Sequence, residues 1–579
     1  MSDEENFKKE VYELMGGYNS KVSTYMGGPT EFRRLVNLNF VSPGALTSRP
    51  GSTLYSGATV SGRITGGIEF ERLSGSSYVV VSANTNAYTV SGSGYVAIRS
   101  GLSDSSLFSF QTVVDRLFGA NGNDFFKFDG SGTANYSLPD PTGLTAFPSV
   151  GGTLAGGTYA VAYGYLNDRG YYGPVSNLVY VSVPGGSTAA ITYSGMSNVI
   201  GYGVSAISLY RSLPGGAAVF GSTTVGFTTS YIDLGAALGT RNEPPYLWFT
   251  MVPRSLSLYN NQMFMSGFST MLSTVYWSDV GEPEGVDPTF FTEFRTNDGD
   301  RVTGHVPYQG SLVVFKERSF HRLSGDNPDN FTQVELSDQY GCLSHRASVV
   351  YENILLFLDS KGIVRHDGAN TSVMSNKVEP LFSGMNLSVA RDNAWAIHYR
   401  KYNEVWFGIP ANGASYLNTI IVYDYLSNAF TTYEGVNAST VFMAKGSTTE
   451  KTVFYGGYTG QVCCFGASLY TDEGRGFTAL FDTIYHVEGA RTGTRLWRRF
   501  YVDVDQNGSQ AGGTIACNFV SNYGTSAPLT RYVSTDSFQT RVDFGIPAKS
   551  IQACVSYYSA SGPIKINGYA FESRYLRSV

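Results

Sequence analysis

The sequence predicts an all-β chain: a β-propeller core, an inserted β-sandwich and a C-terminal β-sandwich. Three observations predict it. Gly (67), Tyr (41) and Phe (36) are abundant among 579 residues. Charged residues make up only 15%, against about 25% in an ordinary soluble domain. Short apolar and β-branched runs recur about every ten residues, separated by Gly, Asn or Asp turns, which is how strands and hairpins read. Paired runs then repeat at a period of about 40–50 residues, the length of a four-stranded propeller blade.

Residues 1–30 read as an N-terminal arm. Phe7, Val11, Leu14 and Met15 recur at helical spacing, so the segment from Glu4 to Met15 is expected to form a short amphipathic helix. Residues 31–137 supply the first part of the propeller, beginning with LVNLNF at 35–40 and including YVVVS at 78–82. Pro139 and Pro141 on one side, and Glu243-Pro244-Pro245 on the other, bracket a unit at 138–245. Residues 246–480 resume the short-strand pattern. SLVVF and SFHRL flank the polar turn Lys316-Glu317-Arg318, and ILLFLD pairs with IVRH across Ser360-Lys361-Gly362. Residues 481–579, with WRRFYVDV at 497–504, read as the final sandwich.

The chemistry-bearing residues point away from catalysis and metal binding. None of the six His belongs to a zinc-type spacing. The five Cys (Cys342, Cys463, Cys464, Cys517 and Cys554) are odd in number and sparse, which argues for buried free thiols over a disulfide framework. Cys463 and Cys464 are adjacent on a strand and should face opposite ways. Asp503, Asp505, Asn507 and Gly508 match the first half of a calcium loop, but Thr514 stands where a bidentate Glu is required. The stretch therefore reads as a hairpin turn, with a weak cation site near Asp503-Asp505 as the alternative. Asn297-Asp298-Gly299-Asp300 reads as a tight turn, and Glu282 and Glu284 beside Pro283 as loop residues. No phosphate-binding G-x-x-x-x-G-K-[ST] loop and no nucleophile elbow are present. No catalytic, cofactor or metal residue is assigned, and the reading is that of a non-enzyme.

A net charge of −6 excludes a chain that is basic throughout. The richest local basic cluster is Arg491, Arg495, Arg498 and Arg499, expected to be a solvated strand edge. The N-terminus lacks the shape of a secretory signal, and the longest apolar run, 354–358, is far short of a membrane span. A cytoplasmic site of synthesis is expected.

Two resemblances join these readings. The stretch GTYAVAYGYLNDRGYYGPVSN at 157–177 resembles fibronectin type III-like modules, which implies an immunoglobulin-like sandwich inside 138–245. RLVNLNFVSPGALTSRPG at 34–51, and the segment from Phe315 to Asn376 with its Gly-Cys-x-Ser and LFLD hairpin, resemble tail nozzle (tail tubular protein B-like) proteins of short-tailed, podovirus-type bacteriophages. That resemblance implies a virion structural protein, a homohexameric ring in the viral tail that retains the genome and conducts DNA during ejection. Its implied partners are other copies of itself, the head-to-tail adaptor, tail fibres or spikes, the bacterial outer surface and, transiently, double-stranded DNA in the lumen. It names no DNA-channel residue. The rival readings are a tail-associated receptor- or glycan-binding adhesin and a propeller glycosidase.

Overall fold

The computed structural model describes residues 7–576, apart from 22–26, 43, 104–105, 185–188, 198, 200, 240–249, 328–329, 447–448, 467, 488–492, 525–527, 537–538 and 560–561. The chain is all-β, with a β-propeller core, an inserted immunoglobulin-like sandwich and a C-terminal β-sandwich. Arg491 and Glu243-Pro244-Pro245 lie outside the described residues.

Seven antiparallel four-stranded blades make the propeller. Five are separate sheets. Their first strands are Ile64–Glu71, Ser109–Val113, Ser255–Tyr259, Val302–Tyr308 and Ser348–Tyr351. The sixth blade runs from Trp395–Tyr399 to Ala429–Glu434. The seventh takes three strands from 438–466 and its fourth, Gly51–Leu54, from the other end of the chain. The first strand of each blade is innermost. Each packs against the next, and Ala438–Ala444 meets Ile64–Glu71 to close the circle. Closure covers the two blade faces that a linear array would leave open, and the radial arrangement leaves only short sheet edges.

Blades two to five share one local device. Their first and second strands are joined by two residues that both have positive φ: Val114-Asp115, Asn260-Asn261, Gln309-Gly310 and Glu352-Asn353. This is the type I′ geometry, whose twist matches that of paired strands.

The chain termini converge. Lys8–Tyr12 is a strand that pairs with Lys565–Tyr575 over its full length. This corrects the helix expected between Glu4 and Met15, of which residues 4–6 lie outside the described residues. Val11 is 71% exposed on this strand, so the helical spacing of apolar residues marks no buried helical face. The segments 32–48 join the C-terminal sheets, with Val36 also pairing to Thr432 on the outer strand of the sixth blade. Phe32–Val36 pairs with Arg475–Thr483, and Ala45–Ser48 pairs with the strand at 565–575. A single apolar core runs from Phe315 and Phe357 in the propeller to Trp497 and Phe500 in the sandwich, so the two units share their interior.

The insert has its own core, rich in Tyr159, Tyr163, Tyr165 and Tyr193. Their hydroxyls find acceptors: Tyr163 donates to the Thr142 carbonyl (2.7 Å) and Tyr165 to the Ser197 carbonyl (2.8 Å), as buried phenols require. Arg211 and Asp233 pair at 2.7 Å between its two sheets.

Candidate functional site

Two arginine-centred sites stand out, one at the seam between propeller and sandwich and one at a mouth of the propeller axis.

The seam is built from the Asn-rich strand and the Arg-Pro-Gly turn. Asn37 takes a left-handed backbone (φ 56°), which Asn tolerates. Its side-chain oxygen accepts from Arg49 Nε (2.8 Å) and from the Glu434 amide (3.0 Å), and its amide nitrogen donates to the Thr478 carbonyl (2.8 Å). Arg49 is fully buried and forks onto both carboxylate oxygens of Asp472, with Nη1 at 3.0 Å. Its guanidinium lies 4.0 Å from the Phe477 ring centroid. Gly51 has no Cβ because one would fall 2.2 Å from the Thr471 carbonyl oxygen. One layer further in, Tyr433 donates to Asn39 (2.5 Å) and its hydroxyl lies 3.3 Å from Glu404, while Trp406 Nε1 donates to Glu404 (2.7 Å). Burial pushes the Glu404 carboxyl up to about 8.

The second site is a cavity of about 520 Å³ where the innermost strands begin. Arginines stand one or two residues before four of the seven innermost strands, Arg63, Arg254, Arg301 and Arg346, with Arg391 on the short helix Leu387–Asn393 ahead of the sixth blade. Gly304 lets the neighbouring loop close in, since a Cβ there would lie 2.8 Å from His345 Cα. Arg254 and Arg301 share Asp392 Oδ1 (3.3 and 3.4 Å). Arg301 and Arg391 share Glu317 (3.3 Å each). Arg346 donates to Thr440 Oγ1 (2.7 Å) and the Ser439 carbonyl (3.1 Å). Arg63 reaches the Asn393 side chain and lies over the Tyr458 ring. Burial, and then the charge of Arg63, lower the Arg346 guanidinium to about 9. Burial, followed by Arg346 and Arg254, holds His345 well below the usual imidazole range. The buried atoms Arg63 Nε, Arg346 Nε, His305 Nε2 and His345 Nε2 have no hydrogen-bond partner.

The residues singled out from sequence have partners within the fold, and the arginines expected at a strand edge lie on Arg495–Val504, which is paired on both sides. Arg499 pairs with Asp543 (3.0 Å) and Glu572 (3.3 Å), Arg498 approaches Glu572, and Arg495 is buried; these arginines do not make a free basic face. Asp505 is taken by Lys565 (2.8 Å) and caps the turn at Asn507. Among the described residues, no group of three His, Cys, Asp or Glu is placed to hold a metal ion. Asp298 holds the fully buried Lys316 ammonium (2.7 Å), and Asp300 accepts from the Glu317 and Arg318 amides. Cys463 and Cys464 point into two different cores.

Glu284 is more than a loop residue. It is fully buried and accepts from Lys127 (2.5 Å), Arg116 (2.7 Å) and Asn167 (2.6 Å). It thereby ties the insert to the second and third blades. Sequence reading missed it, and missed the axial arginines. A signal for the latter was present: arginines recur once per blade at 254, 301, 346 and 391.

No known family model matches the chain, and no curated protein matches its sequence. Solved structures with a similar strand arrangement include the Pan2 WD40 domain of Neurospora crassa (10% identity, TM-score 0.27, 62% of this chain and 88% of that one). YCF48 bound to D1 peptide is similar at 11% identity and TM-score 0.23, over 57% of this chain and 98% of that one. An exo-β-1,3-galactanase of Phanerochaete chrysosporium is similar at 8% identity and TM-score 0.18, over 81% and 97%. Likeness at this distance says nothing of function, and the propeller assignment rests on the strand pairings themselves.

Proposed function

We propose that the chain is a non-enzymatic structural subunit of a short-tailed phage tail, one of six copies in a nozzle ring that retains the genome and lets DNA pass. The observation that carries this reading is the seam. The residues that bear the nozzle resemblance, Asn37, Asn39, Arg49 and Gly51, are those that weld propeller to sandwich through Asp472, Tyr433 and Glu404. In the second resembling stretch, Gly341 donates to Asp359 (3.0 Å), and a Cβ on it would lie 2.3 Å from the Glu317 backbone. The resemblance therefore falls on buried, hydrogen-bonded or closely packed residues, in a chain whose units share one core. A wall that holds back packaged DNA needs that rigidity.

Ring flanks are available. On the outward face of the insert, Phe147, Thr192 and Ile232 form one cross-strand row, with Leu234 beside it. Tyr180, Tyr532 and Tyr558 are also exposed. Tyr and Phe are the residues that interfaces favour, and the net charge of −6 limits attraction to phosphates.

Native mass spectrometry tests the reading, on the full chain alone and mixed with the adaptor ring of the same particle. Six copies are expected at least in the mixture. Monomers in both would sink it.

A further inference from the structure

The axial mouth holds more positive charge than the fold uses. Four arginines, Arg63, Arg254, Arg301 and Arg391, line the cavity with one carboxylate, Asp392, while Arg346 and Glu317 stand just behind the lining. Each carboxylate is divided between two arginines at 3.3–3.4 Å, longer than a well-made charge-assisted bond. Arg63 and Arg346 have neutral partners only. Gathering like charges against a partly buried wall opposes folding, and buried donors left unmade add to the cost. Stability gives no reason to collect one arginine from each of five blades. A ligand does.

We propose that this mouth binds a small phosphate-bearing ligand, with Arg254, Arg301 and Arg391 at the rim, Arg63 beneath them and the charge of Arg346 behind the lining. Three uncompensated positive charges match a di- or trianionic phosphate. The planar guanidinium fork matches phosphate oxygens pairwise. A volume of about 520 Å³ is that of a small-ligand site. Asn393, whose side chain Arg63 already holds, adds a polar group that can orient the remainder of the ligand. The inference stands apart from the nozzle reading, because the site lies on the propeller axis of one chain and needs no second copy.

Isothermal titration calorimetry of the full chain tests it, with pyrophosphate as probe and citrate as a tricarboxylate of similar charge, at fixed ionic strength. Saturable binding of one pyrophosphate per chain is expected, with citrate at least tenfold weaker. The double variant R254Q/R301Q changes half-exposed side chains and should weaken pyrophosphate at least tenfold. D392N should tighten it several-fold, because it frees the two arginines that now share one oxygen. D392N also decides the matter if the double variant fails to fold. Absence of saturable pyrophosphate binding overturns the proposal. So does citrate binding as tightly, or indifference of the affinity to R254Q/R301Q and D392N. A single-stranded oligonucleotide that binds there without being displaced by pyrophosphate would overturn it in favour of a nucleic-acid site.

Discussion

The seam and the axial mouth use the same side chain for opposite ends. At the seam one guanidinium is completely buried, and its donors are met by Asn37, the Pro50 carbonyl and Asp472. At the mouth five guanidiniums stand half-exposed or partly buried, and their partners are too few. A matched buried charge is a fastening, expensive to break because its partner is left behind. An unmatched cluster is a reserve of charge, and losing a half-exposed member that shares its carboxylate costs the fold little. What separates structure from function here is the count of partners rather than the kind of residue.

The sharpest way to break that comparison is to remove the fastening. Arg49→Ala leaves Asp472 without its partner in a site only 16% exposed, and a loss of about 3–5 kcal/mol is expected. The thermal midpoint should fall, and protease should cut first near 34–51, where the seam opens. A shift no larger than that of a surface substitution would show that Arg49 fastens nothing. Glu284→Ala comes next. It leaves Lys127 and Arg116, which are 6% and 12% exposed, with only the half-exposed Asp168 as an anionic partner, at a cost of about 2 kcal/mol. Here the damage should be local: limited proteolysis should release the insert while the propeller persists. If all units melt together, Glu284 belongs to one global core and not to a joint.

Much of the propeller was legible and its fastenings were not, for one physical reason. Strand and hairpin signals are local. Phe315 pairs with Phe320 across the expected polar turn, and Asp359 with Gly362 across Ser360-Lys361. Even so, the repeated type I′ turns were hidden, because Val114-Asp115 and Glu352-Asn353 carry none of the Asn-Gly or Asp-Gly chemistry that announces them. The helix expected near the N-terminus failed because Lys8–Tyr12 takes its conformation from a strand near residue 570, and no short window encodes such a partner. Lys316, read as a polar turn residue, is fully buried for the same reason: its acceptors at Phe294, Arg295 and Asp298 come from an earlier part of the chain. The arginine pattern of the mouth becomes visible only once the starts of the innermost strands are known.

A pH titration sharpens the seam further. The Glu404 carboxyl is pushed up to about 8 by burial, whereas an unfolded Glu ionises near 4.3. The raised value means that its contribution is fully present at low pH and is lost as pH rises from about 4.3 towards 8, where the unfolded chain releases a proton that the folded chain keeps. Glu404→Gln stays neutral throughout and keeps an oxygen for Trp406 and Tyr433. Its melting temperature should overtake that of the parent between pH 6 and 8, and the gap should widen with pH. Parallel curves would mean that Glu404 is charged in the fold and that the seam tolerates a carboxylate.

The smallest expected effect decides the comparison from the other side. Arg254→Gln removes a guanidinium that is 38% exposed and shares one Asp392 oxygen with Arg301. Solvent screens such a pair, and exposed ion pairs contribute about 0–1 kcal/mol. Asp392 keeps Arg301, so no carboxylate is stranded, and the repulsion between Arg254 and Arg301 on one shared oxygen is relieved. The two terms nearly cancel, and a change within about 0.5 kcal/mol is expected. Chemical denaturation in low and high salt checks this. Should Arg254→Gln destabilise the chain as Arg49→Ala does, the mouth would be a second fastening and its charge would serve the fold. If stability is unchanged or slightly raised, the charge serves something the folded chain alone does not supply.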